Sequence, residues 1–290
     1  MAPAGPFDAE KLDLGVRILA ARGLEASSGP GLHERWRYLA GDDERRASEL
    51  GAALTRPGVR AVWAARGGYG AMRLLDRIDW AAAAGAEPRW LVGFSDITAL
   101  HLAGLAAGLG GMVHGPNVTT LGEIGGSDRD HVLDLLMGMA PPPALGVERL
   151  RVVAPGTAEG PLWGGNLSLV TRLLGTAHMP DLAGGVLFLE DVGERPYRLD
   201  RMLTHLRLAG VLETVAGVVL GDFSDCEEAE AGFTSHDVLA GLLGDLGIPV
   251  LTGYPAGHGI RCRALPLGVR ARIESGPEGG RLELLEAPWA

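Results

Sequence analysis

The feature that most constrains this chain is a repeated alternation of short apolar runs with segments of helical spacing. It is clearest in "RWLVGFSDITALHLAGLAAGL" (Arg89–Leu109). The run Trp90-Leu91-Val92 reads as a short buried strand. It turns at Gly93-Phe94-Ser95-Asp96 directly into a helix from Asp96 to about Leu109. The same grammar recurs. Helical spacing covers Leu14–Leu24 and Asp42–Leu54, a strand is expected at Val59–Ala65 before the turn Gly67-Gly68-Tyr69-Gly70, and a helix at Leu74–Ala84. A strand at Gly111–Val113 ends at His114-Gly115-Pro116. Parallel strands need a helical crossover between them, so this order predicts an α/β fold with a mainly parallel sheet.

From Pro141 to Gly160 the texture changes to "PPPALGVERLRVVAPGTAEG", which is expected to be a linker. A chain of 290 residues has room for two cores, giving an N-terminal domain over 1–150 and a C-terminal α/β domain over 151–290. The second half opens with "GPLWGGNLSLVTRLLGT", a turn feeding a helix, followed by the strand "GGVLFLED". A helix is expected at Tyr197–Leu208, a strand in "VAGVVLGDF", a helix at Ser235–Leu246 and a strand at Pro249–Thr252. Two β segments close the chain.

Several function classes are disfavoured. A net charge of −10 is a poor match for nucleic acid or an anionic membrane, since phosphate binding relies on clustered basic residues. No apolar run reaches the roughly 18 residues that span a bilayer, and the start lacks a signal-peptide pattern. Two cysteines, Cys226 and Cys262, make no disulfide framework. A cytoplasmic protein is expected.

Ser95 is the first chemical candidate. As a helix cap its side chain would accept from backbone N–H groups. As a nucleophile it would stand on a strained strand-to-helix elbow whose helix N-terminus stabilises an oxyanion. The hydrolase elbow pattern asks for glycine two residues on, where this chain has Ile97. A serine nucleophile also needs a base. His114 in "VHGP" and His258 in "GYPAGHGI" both stand at glycine-rich turns beyond apolar strands, and the residues alone leave them level. Acids follow the strand "VLFLED": Glu190 and Asp191, with Glu194 just beyond. No histidine or cysteine stands beside them at ligand spacing, so neither a metal site nor a cofactor is expected. The glycine turn "ARGGYG" fits a backbone donor approaching a substrate closely better than a phosphate loop, because no Walker pattern occurs and Lys11, the only lysine, is distant.

Six stretches then form a recognisable set: "YLAGDDERRASELGAALTRPGVRAVWAARGGYGAMRLLDRIDW", "LVGFSDITALHLA", "HGP", "LWGGNLSLVTRLLGT", "GGVLFLEDVGERPYRLDRML" and "AGHGIRCRALPLG". Together, from Tyr38 to Gly268, they resemble the LD-carboxypeptidases of murein recycling, a serine peptidase family that also contains microcin-immunity peptidases. The resemblance implies two α/β domains with a cleft between them and usually a homodimer. It implies a Ser-Glu-His triad of Ser95, Glu190 and His258, with oxyanion donors from the backbone N–H groups of Gly68 and Asp96. That choice decides for His258 over His114. Arg66 is the candidate for the substrate carboxylate, and Asn166 is a second candidate substrate contact. Family members also open with a β-strand running into a motif like "APAGP"; here that motif starts at Ala2, so the strand is expected to be missing or cut to a stub, which could expose a sheet edge.

The implied activity is hydrolysis of the L,D bond of a murein tetrapeptide, releasing the terminal D-alanine from a small peptide partner. Two alternatives stand beside it. A microcin-immunity amidase would cleave a peptidyl-nucleotide, but the aromatic-bearing insertion of those members is not visible between Gly115 and Gly164. A non-catalytic module holding a small anion would leave the serine, the acid and the histidine unused.

Overall fold

The apolar runs fold into strands where the alternation places them. The computed structural model of the chain describes residues 1–139, 147–228, 232–276 and 278–287. The first half contributes β1 (Ala61–Trp63), β2 (Trp90–Gly93) and β3 (Met112–His114). The second contributes β4 (Val147–Ala154), β5 (Thr157–Asn166), β6 (Val186–Val192), β7 (Gly217–Ser224), β8 (Val250–Thr252), β9 (Leu265–Leu267), β10 (Arg270–Gly276) and β11 (Gly279–Leu284).

Two sheets result. The first has the order β1-β2-β3-β9, with β1, β2 and β3 parallel and β9 antiparallel against β3. The second is a closed barrel, β10-β11-β4-β8-β7-β6-β5, parallel from β5 through β8 and antiparallel elsewhere. The first sheet is thus completed by chain from the second half. β9 carries Pro266, which cannot donate to a ladder and is tolerated because β9 is an edge strand.

Three expectations need correcting. The stretch read as a linker is largely strand: β4 and β5 occupy 147–154 and 157–166, and its remaining Pro155-Gly156 is the turn between them; residues 140–146 lie outside the described residues. The helix expected at Leu74–Ala84 is two pieces, a 3-10 helix at Ala71–Arg77 and a short α-helix at Trp80–Ala84. Asp79 separates them, because its side chain caps the second by accepting from the Ala82 N–H at 2.9 Å. The closing segments number three rather than two, β9 joining the first sheet while β10 and β11 pair as a hairpin. The sequence reading also passed over a helix at Gly126–Leu136. Elsewhere caps fix the ends: Asp8 starts the helix Ala9–Ala21, and Asp42 starts Asp43–Thr55.

At the β1 edge the first residue of the chain bonds to the end of β1 and the residues beyond it. The Met1 amine donates to the Trp63 carbonyl at 2.9 Å and Ala65 N–H donates to the Met1 carbonyl at 2.7 Å. Ala2 and Ala4 are fully buried beside it. No helix among the described residues is long and apolar enough to cross a membrane.

Candidate active site

Ser95 occupies the turn between β2 and a fully buried helical start. β2 is buried throughout, and every residue from Thr98 to Gly104 of the helix Thr98–Ala106 is buried. This packing forces an abrupt turn, and Ser95 absorbs it with a left-handed φ of 64°. That conformation costs on the order of 1–3 kcal/mol for a residue with a Cβ and persists only when its surroundings over-determine it. Ser95 is not the cap of the helix start: Phe94 holds the cap position of the 3-10 helix Ser95–Ile97, and Ile97 that of the helix Thr98–Ala106. Its hydroxyl lines an open cleft of about 960 Å³ together with Arg66, Gly67, Gly68, Phe94, Asn117 and His258.

The glycine turn presses directly on the elbow. A Cβ at Gly67 would stand 2.9 Å from the Ser95 Cβ and 3.2 Å from its Oγ. The Gly67 carbonyl accepts from the Gly5 N–H at 3.0 Å. Because the carbonyl and N–H of one planar peptide point in opposite directions, the Gly68 N–H is turned away from Gly5. Asp96 ties the turn to the elbow from below: its carboxylate is buried, accepts from the Ala71 N–H at 2.7 Å, and is pushed up to a pKa of about 6 by burial. The Asp96 N–H itself is one of the first in its helix, a group without an intrahelical acceptor. Gly67→Ala is therefore expected to fold and to react slowly, with labelling of Ser95 by a fluorophosphonate reduced about tenfold or more through displacement of the hydroxyl. Wild-type labelling rates would show that the elbow tolerates the methyl.

Opposite Ser95, the barrel brings an acid and a base together. Glu190 is fully buried near the end of β6, and its Oε2 accepts from His258 Nδ1 at 2.8 Å. Burial pushes the imidazole down, but the Glu190 hydrogen bond and the charges of Glu190, Asp191 and Asp222 outweigh it, so the His258 pKa lies above the ordinary value. Burial likewise pushes the Glu190 carboxyl up, opposed by His258. Phe94, the residue before Ser95, stacks against the imidazole with ring centroids 4.7 Å apart. Ser95 and His258 face one cleft without a hydrogen bond between them.

His114, level with His258 in the sequence, is fully buried behind Phe94, wedged between it and Phe188 at centroid distances of 6.0 and 5.0 Å. Burial drives its pKa well below the usual value. The other acids face elsewhere. Asp191 accepts from Asn166 Nδ2 at 3.0 Å and from the Ser168 N–H at 2.9 Å, and Glu194 accepts from Ser168 Oγ and Arg198.

The two candidate substrate contacts part company. Arg66 is exposed in the cleft, one Nη donating to the Pro6 carbonyl at 2.7 Å. Asn166 is buried: its amide donates to Asp191, its Oδ1 accepts from Leu169 N–H, and it lies in register beside Glu190. Its N–H donates to Thr98 Oγ1 at 3.0 Å, so this residue fastens the barrel to the helix behind Ser95. Gly165 permits that approach, since a Cβ there would sit 2.6 Å from Thr98 Oγ1. The sequence reading missed several cleft residues. Arg35 donates to the Phe7 carbonyl, and Lys11 pairs with Glu123. It also missed Asp222 beside His258, which a carboxylate at the end of the strand "VAGVVLGDF" could have signalled. Among the described residues no cluster of three or more His, Cys, Asp or Glu is arranged to hold a metal ion.

Comparison with known proteins bears on this constellation. Residues 1–115 match the family model of the LD-carboxypeptidase N-terminal domain, and residues 159–273 match that of its C-terminal domain. The chain belongs to the LD-carboxypeptidase family. A Synechocystis sp. member named as a carboxypeptidase is 39% identical over 98% of this chain and 93% of its own. The murein tetrapeptide carboxypeptidase of Pseudomonas aeruginosa is 35% identical over 94% of this chain and 92% of its own. Among solved structures, the muramoyltetrapeptide carboxypeptidase of Oxalobacter formigenes superposes with a TM-score of 0.89 at 34% identity, covering 99% of this chain and 98% of that one. This LD-carboxypeptidase family member is therefore a peptidase with the mixed α/β, two-sheet architecture of its relatives.

Proposed function

We propose that the protein is a metal-independent serine carboxypeptidase. It hydrolyses the bond after an L-configured diamino-acid centre in murein tetrapeptides and releases the terminal D-alanine. One observation carries the reading: His258, half-buried and bonded to the fully buried Glu190, lines the same cleft as a serine held at φ 64°. In this reading the first half, to about residue 150, supplies Ser95 and the oxyanion donors, and the second supplies the acid and base. The same reading carries the cytoplasmic location expected from the sequence and the homodimeric assembly that the resemblance implies.

The chemistry follows from the placement. His258 takes the Ser95 proton as Oγ attacks the scissile carbonyl, and the tetrahedral oxyanion is met by the N–H groups of Gly68 and Asp96. Collapse expels the D-alanine amine, which receives the proton from His258, and water then cleaves the acyl-enzyme by the reverse sequence. Glu190 holds the imidazole through Nδ1 and stabilises its charged form. The open Ser95–His258 contact suits a free site, since such hydrogen bonds tighten once substrate is bound. Arg66 takes the substrate carboxylate, while Asn166 braces the acid rather than touching substrate.

Release of D-alanine from a free tetrapeptide, measured beside cleavage of an aminoacyl sulfamoyl-adenylate, tests the substrate class. Turnover of the tetrapeptide alone is expected, and cleavage of the adenylate alone would transfer the protein to the immunity reading. The pH profile tests the pair. Only the neutral imidazole accepts a proton, so kcat/KM falls as pH drops through the His258 pKa. Because that pKa is raised, the acidic limb is expected above the reference value of about 6.5. Glu190→Gln should lower the plateau and move the limb to lower pH; an unmoved limb would remove Glu190 from its role.

A further inference from the structure

Between β8 and β9 the chain leaves the barrel and returns to the first sheet, and His258 rides on that crossing. The two ends of the crossing are held differently. On the barrel side the Ala256 carbonyl accepts from the Asp222 N–H at 2.8 Å. On the far side residues 261 and 262 are gripped by Asp128, which belongs to the first half. Its carboxylate accepts from Arg261 Nε at 2.5 Å, from Arg261 Nη2 at 2.7 Å and from the Cys262 N–H at 3.2 Å.

Asp128 is fully buried, whereas about half of the Arg261 side chain (48%) is open to solvent. A buried carboxylate is tolerated only when its oxygens are satisfied, and three donors from a single loop satisfy this one. Asp128 stands in the first turn of the helix Gly126–Leu136, at the positive end of that helix. The N-cap, Gly125, has no side chain to offer, yet the Asp128 carboxylate is directed to the crossing. Further along, His131 of the same helix places Nε2 3.1 Å from the Ala264 carbonyl. Ile260 projects into solvent (87% exposed) and anchors nothing.

The site's geometry gives this grip a purpose. Glu190 orients the imidazole, but both residues belong to the barrel side. Ser95 belongs to the first sheet. The separation between base and nucleophile therefore depends on what ties the His258 loop to the first half: Phe94 packs on the ring itself, and Asp128 holds the backbone of the loop three to four residues beyond it. We propose that Asp128, acting through Arg261, is a positioning residue that sets the imidazole at working distance from the Ser95 hydroxyl. This rests on the assignment of His258 as base.

The test is steady-state release of D-alanine from tetrapeptide by Asp128→Asn, Arg261→Gln and their double variant, with His258→Ala and Leu135→Ala alongside. Asp128→Asn is expected to lose about 10²-fold in kcat, the scale of an ångström of misplacement, with KM changed no more than a few-fold. Arg261→Gln should lose a similar factor, and the double variant should be no worse than the poorer single, because both act through one contact. Leu135 is buried on the same helix and makes none of the hydrogen bonds of the grip; its alanine variant should lower Tm while keeping kcat below the unfolding transition. Wild-type kcat in Asp128→Asn beside an inactive His258→Ala overturns the positioning role and leaves the base assignment standing. Retained turnover in His258→Ala overturns that assignment and the positioning role with it. Should Asp128→Asn fail to fold, Arg261→Gln decides alone, and wild-type kcat in it is fatal to the proposal. An equal kcat loss in Leu135→Ala would reduce the effect to stability and overturn it too.

Discussion

Ser95→Ala is expected to remove turnover by a factor on the order of 10⁶, the scale seen when a serine nucleophile is deleted from an intact triad. The fold should survive, because Phe94 rather than Ser95 holds the cap position of the helix start. A cap serine would behave in the opposite way, costing about 0.5–2 kcal/mol of stability and leaving activity in place. The left-handed backbone adds a second arm. Alanine keeps the Cβ and with it the strain at φ 64°, whereas Ser95→Gly relieves it. The glycine variant should thus be as inactive as the alanine variant and about 1–2 kcal/mol more stable than it. Denaturant midpoints and D-alanine release measured on all three proteins separate the two effects. Turnover in Ser95→Ala equal to wild type would end the nucleophile assignment.

The two histidines should diverge by a comparable factor. His258→Ala removes the only imidazole on the cleft wall among the described residues and leaves Glu190 buried with no base to hold, so kcat should again fall on the order of 10⁶-fold. His114→Ala does something else. It opens a cavity between Phe94 and Phe188 in a fully buried layer, which should cost about 2–4 kcal/mol of stability, by analogy with large-to-small core substitutions, while kcat stays within tenfold of wild type at temperatures below unfolding. The residual effect arises because Phe94 stacks on both rings and can relay a small shift to His258. An inactive His114→Ala beside a wild-type His258→Ala would rebuild the site around the buried ring.

Much of this protein was legible in local patterns. The run Trp90–Val92, the Gly93-Phe94-Ser95-Asp96 turn and the helix after it are written within some twenty residues, and the structure forms them there. β6 and the acids at its end were equally visible, as was the second helix. Local periodicity decides such features because strand and helix differ in which neighbours share a face. The misreadings were also local in origin. Proline and glycine around Pro155-Gly156 carry a linker signal, although these residues serve as the turn between β4 and β5, two barrel strands that each pair with other neighbours. The helix Gly126–Leu136 escaped notice because its first turn is polar and glycine-led.

What the sequence by itself determined is therefore the alternation of strands and helices, the elbow serine and a short roster of acids and histidines. Tertiary structure decided which of them meet. Glu190 and His258 are 68 residues apart, and Asp128 and Arg261 are 133 apart. No propensity or spacing rule reaches across such distances. These pairs form because the barrel closes and because β9 returns to the first sheet, carrying the loop before it past Asp128. His114 and His258 follow similar turns in the sequence; packing put one in the core with no solvent and the other on a cleft wall against a buried carboxylate. Burial and long-range pairing are properties of the whole packed chain, and they set both the partner of each ring and the direction in which its pKa moves.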